Sequence, residues 1–160
     1  MSDCLLIRGG RIIDPANDRD EVADLFAIDG KIVEEMSNEF IADARIIDAL
    51  GKIVCPGFVD LHSHFREPGQ NQKETIGSGS RAAAAGGYTG LVVGPDVKPV
   101  ADNAGVIQYV LDAVAKHSCV NVLVTGCMTQ GSAGEKLAPI GSLKQAGVVA
   151  ITDSPDSPQN

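Results

Sequence analysis

From residue 56 onward, short apolar runs rich in β-branched residues alternate with helical segments, and this alternation limits the possible folds more than any other feature. The strand candidates are residues 58–62, 89–93, 121–125 and 148–152. Between them lie helix candidates at residues 73–85, 102–117 and 142–146. The first helix contains an alanine run and is followed by Gly86-Gly87, which suits a left-handed C-cap. In the second, Val106, Tyr109, Val110 and Ala113 recur at i, i+3, i+4 and i+7, so these apolar side chains are expected in the core. Buried strands joined by helical crossovers imply a parallel sheet, either doubly wound or rolled into a (β/α)8 barrel. Four strands supply half of a barrel whose typical size is about 250 residues, so the 160-residue chain is expected to be a fragment. Its last strand would then present an open parallel edge that invites association, including homo-oligomers.

Residues 1–55 follow a different pattern and read as a small β module. The runs CLLI and RIID flank Gly-Gly, DLFAI and KIV flank Asp29-Gly30, and RIIDA and IVC flank LGK. Asp-Gly between two β-rich runs signals a type I′ hairpin, whose two central residues need positive φ. The expected architecture is therefore an incomplete α/β (β/α)8 barrel, first four strands, in residues 56–160, preceded by a small β-sandwich module in residues 1–55.

Thirteen basic residues against 21 acidic ones leave a net charge of −8, which argues against a nucleic-acid partner because phosphate binding depends on a basic surface. No window approaches the roughly 18 apolar residues of a membrane span, and the start MSDCLLIRGG is too short in apolar residues for a signal peptide. Cys4, Cys55, Cys119 and Cys127 form no C-x-x-C pair and read as reduced core residues, with one of them open to a reactive role. A cytoplasmic protein is expected.

The chemistry concentrates in DLHSHFREPG, residues 60–69. In an extended strand, alternate side chains share a face, so His62, His64 and Arg66 would project together, opposite Leu61, Ser63 and Phe65. Two imidazoles so placed can meet one ion, although an H-x-H pair on its own fits two surface histidines equally well. Further polar residues follow the other strands: Asp96 and Lys98 the second, Thr129 and Gln130 the third, Asp153, Ser154 and Asp156 the fourth. Ligands of α/β proteins bind beyond the carboxyl ends of the strands.

With these residues in place, the stretches PGFVDLHSHFREPGQ, KETI, RAAAAGGYTG, KPV and LKQAGVVAITD resemble dihydroorotases of the amidohydrolase superfamily. The full opening motif with K-E-T-I at its distance separates this pattern from those of allantoinases and dihydropyrimidinases. The resemblance implies a metal-bearing (β/α)8 barrel with a small β-sandwich built from both chain ends. It also implies the reversible closure of carbamoyl aspartate to dihydroorotate in pyrimidine synthesis. Opening that ring requires water to attack an amide carbonyl, and Zn2+ lowers the pKa of bound water from about 15.7 to about 7. On this resemblance His62 and His64 are the metal ligands and Arg66 is the arginine that grips the substrate carboxylate. Glu67 falls on the other face, with a structural role in the Pro68-Gly69 turn.

Two departures stand out. Where the family reads M-P-N-T-x-P, this chain has Gly94-Pro95-Asp96-Val97-Lys98-Pro99, so Asp96 replaces the asparagine that helps to bind the substrate carboxylate. Two like charges ~6 Å apart at an effective dielectric near 20 repel by about 3 kcal/mol, so Asp96 must be neutralised, with Lys98 the candidate, or the ligand must differ. Where the family ends its fourth strand with an Asp-Asp-Gly whose second aspartate binds metal, this chain has Thr152-Asp153-Ser154-Pro155. The general base and the other histidines of the family pattern are expected beyond Asn160. These departures support an alternative, a non-catalytic homologue that serves as a scaffold for aspartate transcarbamoylase.

Overall fold

A computed structural model describes residues 3–154. The chain divides into two compact units, Met1–Pro56 and Gly57–Asn160. Among the described residues, no helix is long and apolar enough to cross a membrane.

In the first unit, β1 (Cys4–Asp14) pairs antiparallel with β2 (Arg19–Ile28), and β2 pairs antiparallel with β3 (Lys31–Val33). The β2–β3 turn holds Asp29 at φ 50° and Gly30 at φ 75°, the double positive φ expected of the Asp-Gly pair. After a short helix α1 (Asn38–Asp43), β4 (Arg45–Asp48) and β5 (Ile53–Val54) both run parallel to β1. The five strands make one mixed sheet. One expectation is corrected here. Gly9-Gly10 is not a turn between two strands: β1 runs through it, and the pairing with β2 shifts register between Ile7 and Gly10. Gly9 takes φ 68°, a conformation glycine adopts at a bulge without steric cost, so the chain bends and continues in the sheet.

The second unit alternates β6 (Phe58–Ser63), α2 (Ile76–Ala85), β7 (Tyr88–Val93), α3 (Ala104–His117), β8 (Asn121–Gly126), α4 (Ile140–Ala146) and β9 (Ala150–Ile151). All neighbouring strands are parallel, in the spatial order β6-β7-β8-β9. That order decides between the two architectures the sequence allows. A doubly wound sheet reverses its strand order at a switch point, whereas the wall of a (β/α)8 barrel adds each strand beside the last.

One apolar layer joins sheet and helices. Leu91, Val93, Val122 and Val124 from the strands pack with Ile76 of α2, Ile107 and Val110 of α3 and Leu143 of α4. Alternate strand residues point the other way: Val59 is 62% exposed and Leu123 48%. The α3 stripe is rotated from its expected position. Tyr109 is 49% exposed while Ile107 is fully buried. At about 100° per residue, the buried set Val106, Ile107, Val110 and Ala113 centres about a quarter-turn around the helix from Tyr109. A further correction concerns the cysteines, since Cys4 and Cys127 are buried but Cys55 and Cys119 are exposed.

Helix α2 starts at a capping box, in which Thr75 Oγ1 accepts from Ser78 N and Ser78 Oγ accepts from Thr75 N, each at 3.0 Å. Its Gly79 lies against Phe65, which is 6% exposed, and a Cβ there would run into the Phe65 ring. Replacing Gly79 by alanine adds helix propensity of about 1 kcal/mol, yet the overpacking should dominate. Urea unfolding of Gly79→Ala is expected to show a net loss of up to about 2 kcal/mol, the overpacking less the propensity gain; a gain would mean that the ring moves freely.

Candidate metal centre

The carboxyl ends of β6, β7 and β9 bring one polar cluster together. It begins with a register shift. From Asp60 to Ser63 the pairing of β6 advances three residues while β7 advances only two, from Leu91 to Val93. An extra residue opposite one partner bends a strand and re-aims its side chains. Simple alternation of positions 62, 64 and 66 along a strand therefore does not describe the segment, because β6 ends at Ser63 and His64 and Arg66 lie in the following loop. The two imidazoles nevertheless converge: His62 Nε2 and His64 Nε2 are 3.0 Å apart, with the ring planes at 75°.

Asp96, three residues beyond β7, holds this loop from the neighbouring strand. Its Oδ1 accepts from His64 Nδ1 at 2.7 Å and its Oδ2 from Arg66 Nη1 at 2.5 Å. The partners that neutralise Asp96 are thus His64 and Arg66. Lys98, the candidate raised by the sequence, is exposed. Burial pushes the Asp96 carboxyl up, but the hydrogen bonds from His64 and Arg66, with the charge of the Arg66 guanidinium, outweigh it and hold the group below the ordinary aspartate range. A second tie runs along the backbone, where Lys98 N donates to Pro68 O at 3.0 Å.

Gly94, at the end of β7, has a role that composition did not reveal. A Cβ there would sit 3.0 Å from Asp96 Oδ1 and 3.1 Å from His64 Nδ1. The missing side chain leaves the room in which the imidazole and the carboxylate meet. Glu67 is structural, though not within its own turn: its Oε2 accepts from Ile76 N at 3.0 Å and satisfies a free donor at the start of α2.

Of the residues after β9, Ser154 reaches the pair, with its Oγ 3.5 Å from His62 Nε2. Asp153 does not. It is 2% exposed, and its carboxylate accepts from Met128 N (2.8 Å), Thr129 N (3.0 Å) and Thr129 Oγ1 (2.5 Å), tying this segment to the loop after β8. Thr129 is thereby a buried structural residue, and Gln130 donates to Leu137 O within the same loop. Asp156 lies outside the described residues. Cys127 is fully buried beneath this region; burial first, then the charges of Asp153 and Asp102, push its thiol up to about 12, which leaves it an inert core residue.

The donor set fits a cation. Two imidazole nitrogens on a tetrahedral ion, each about 2.05 Å away, would be ~3.3 Å apart, close to the observed 3.0 Å. Among the described residues, no group of three or more His, Cys, Asp and Glu side chains forms a complete metal cage, and the pair would give two of the three protein ligands usual for a catalytic zinc.

A sequentially ordered parallel wall with its polar cluster at the carboxyl rim defines an incomplete (β/α)8 barrel of the amidohydrolase kind. In backbone geometry the chain is similar to the L-hydantoinase (dihydropyrimidinase) from Arthrobacter aurescens, with a TM-score of 0.74 and 22% identity over 94% of this chain and 32% of that one. It is also similar to the D-hydantoinase (dihydropyrimidinase) from Thermus sp., with a TM-score of 0.60 and 28% identity over 78% of this chain and 28% of that one. The model of the dihydro-orotase-like family matches residues 51–156, and the chain belongs to that family. It is 51% identical over 149 residues to a dihydroorotase of Solibacter usitatus (strain Ellin6076), covering 93% of this chain and 35% of the relative. It is 48% identical over 154 residues to a dihydroorotase of Anaeromyxobacter dehalogenans (strain 2CP-C), covering 96% and 36%. The chain therefore spans about a third of the length of these curated relatives.

The Asp153 network makes a prediction. Asp153→Ala leaves two backbone N–H groups and a hydroxyl without their acceptor and should lower unfolding free energy by about 3 kcal/mol. Ser154→Ala should change it by less than about 0.5 kcal/mol. Equal effects in chemical denaturation would contradict the division of roles between these neighbours.

Proposed function

We propose that the protein is a zinc-dependent cyclic amide hydrolase, a dihydroorotase that interconverts carbamoyl aspartate and dihydroorotate in pyrimidine biosynthesis in the cytoplasm. In this reading residues 1–55 are a β module and residues 56–160 the first half of the hydrolase barrel. The observation that carries it is the convergence of His62 and His64 Nε2 at 3.0 Å, in a chain 51% identical to a dihydroorotase.

His62 and His64 are the residues that hold the ion. A bound zinc supplies acidity to water, the nucleophile for ring opening. The side chains of this chain prepare the rest. Arg66 uses one nitrogen on Asp96 and keeps guanidinium N–H groups for a substrate carboxylate. Asp96 enters substrate binding through Arg66, whose position it fixes. Phe65, buried beneath the loop, keeps the backbone between His64 and Arg66 from shifting. This matters because a misplacement of about 1 Å can cost on the order of 100-fold in rate.

The full-length protein supplied with zinc should hydrolyse dihydroorotate, and His62→Ala should reduce turnover by at least ~100-fold. Unchanged turnover in that variant would remove the metal assignment. One observation favours a second reading, that of a silent homologue acting as a scaffold for aspartate transcarbamoylase. A neutral hydroxyl, Ser154, approaches His62 where a family member would present a carboxylate. Metal analysis separates the two, since the hydrolase should retain zinc in stoichiometric amount and the scaffold should not.

A further inference from the structure

The polar cluster holds a feature that the metal pair does not need in order to exist. Asp96 divides its carboxylate, giving one oxygen to His64 Nδ1 at 2.7 Å and the other to Arg66 Nη1 at 2.5 Å. A neutral imidazole carries one proton on its two nitrogens. If Nδ1–H donates to Asp96, Nε2 is bare, and that nitrogen is the one aimed at His62. An amide side chain at this position could accept from His64 through its oxygen, but its nitrogen would then turn a donor toward the Arg66 donor. A carboxylate satisfies both neighbours at once. Gly94 is part of the same device, because any Cβ there would crowd both Asp96 Oδ1 and His64 Nδ1.

We propose that Asp96 is a positioning residue that fixes His64 in its Nδ1–H tautomer and so presents a bare Nε2 to a cation shared with His62, while Arg66 anchors the carboxylate. The inference rests on the metal assignment proposed above and adds the group behind the ligand, at a position where the family pattern has asparagine. Asp96 is 18% exposed and His64 27%, so the contact is partly shielded from competing water. Outer partners of this kind typically change metal affinity 10- to 100-fold when removed.

The test uses the full-length protein labelled with 15N-histidine and kept metal-free near pH 8, followed by zinc titration against a chromophoric chelator. In the parent protein, His64 should show a protonated Nδ1 and an unprotonated Nε2. Asp96→Ala should move the proton to Nε2 and weaken zinc binding by 10- to 100-fold. Asp96→Asn, close in shape, keeps an acceptor and should retain the tautomer, with an affinity between the two. An unchanged His64 spectrum in Asp96→Ala would overturn the proposal whatever its affinity, since a purely structural role would then account for any loss. Failure of the parent protein to bind zinc would instead sink the metal assignment, and the nitrogen spectra would still decide the tautomer.

Discussion

The two-sided grip of Asp96 is the interaction on which the rest of the site depends. It is the side-chain tie between the loop after β6, which carries His64 and Arg66, and the end of β7. Without it the loop would be held by the backbone bond from Lys98 N to Pro68 O, by the bond from Ile76 N to the Glu67 carboxylate and by packing of Phe65 against α2. Those contacts fix where the loop runs. They do not fix which nitrogen of His64 bears its proton, and that choice separates a ligand from a donor.

Charge explains why the arrangement holds. An aspartate facing a substrate carboxylate would oppose binding, and the sequence raises that difficulty without resolving it. In the structure both oxygens are taken by cationic or hydrogen-donating partners of this chain, so the negative charge is balanced before any ligand arrives. The balance uses part of Arg66, which leaves fewer of its donors for an incoming anion than a free guanidinium would have. Asp153 is a different kind of carboxylate. Buried and saturated by the loop after β8, it shapes the rim and leaves Ser154 as the side chain that meets His62.

Much of this was legible in the residues. Strand–helix alternation after residue 56 indicated a parallel sheet, and Asp29-Gly30 marked the β2–β3 hairpin of the first unit, because both features follow from local periodicity and φ preference. The dense motif around His62 and His64 singled out two side chains that the fold brings together. What alternation could not convey was the register shift at the end of β6. It depends on pairing with β7, where Ser63 lies against Val93 in the distant part of the chain, and no local pattern encodes it. The same limit hid the continuity of β1 through Gly9-Gly10, the rotation of the α3 stripe toward Ile107 and the space left at Gly94. Each is set by a neighbour distant in sequence, as is the grip of Asp96 on His64 and Arg66.

The proposed hydrolase requires His62 and His64 to hold one metal ion together at the carboxyl rim of the barrel wall. Anomalous diffraction from crystals of the full-length protein grown with zinc tests it directly. A peak is expected about 2.0–2.1 Å from Nε2 of both histidines, with Asp96 still bonded to Nδ1 of His64. A zinc bound elsewhere while these two rings turn apart would contradict it.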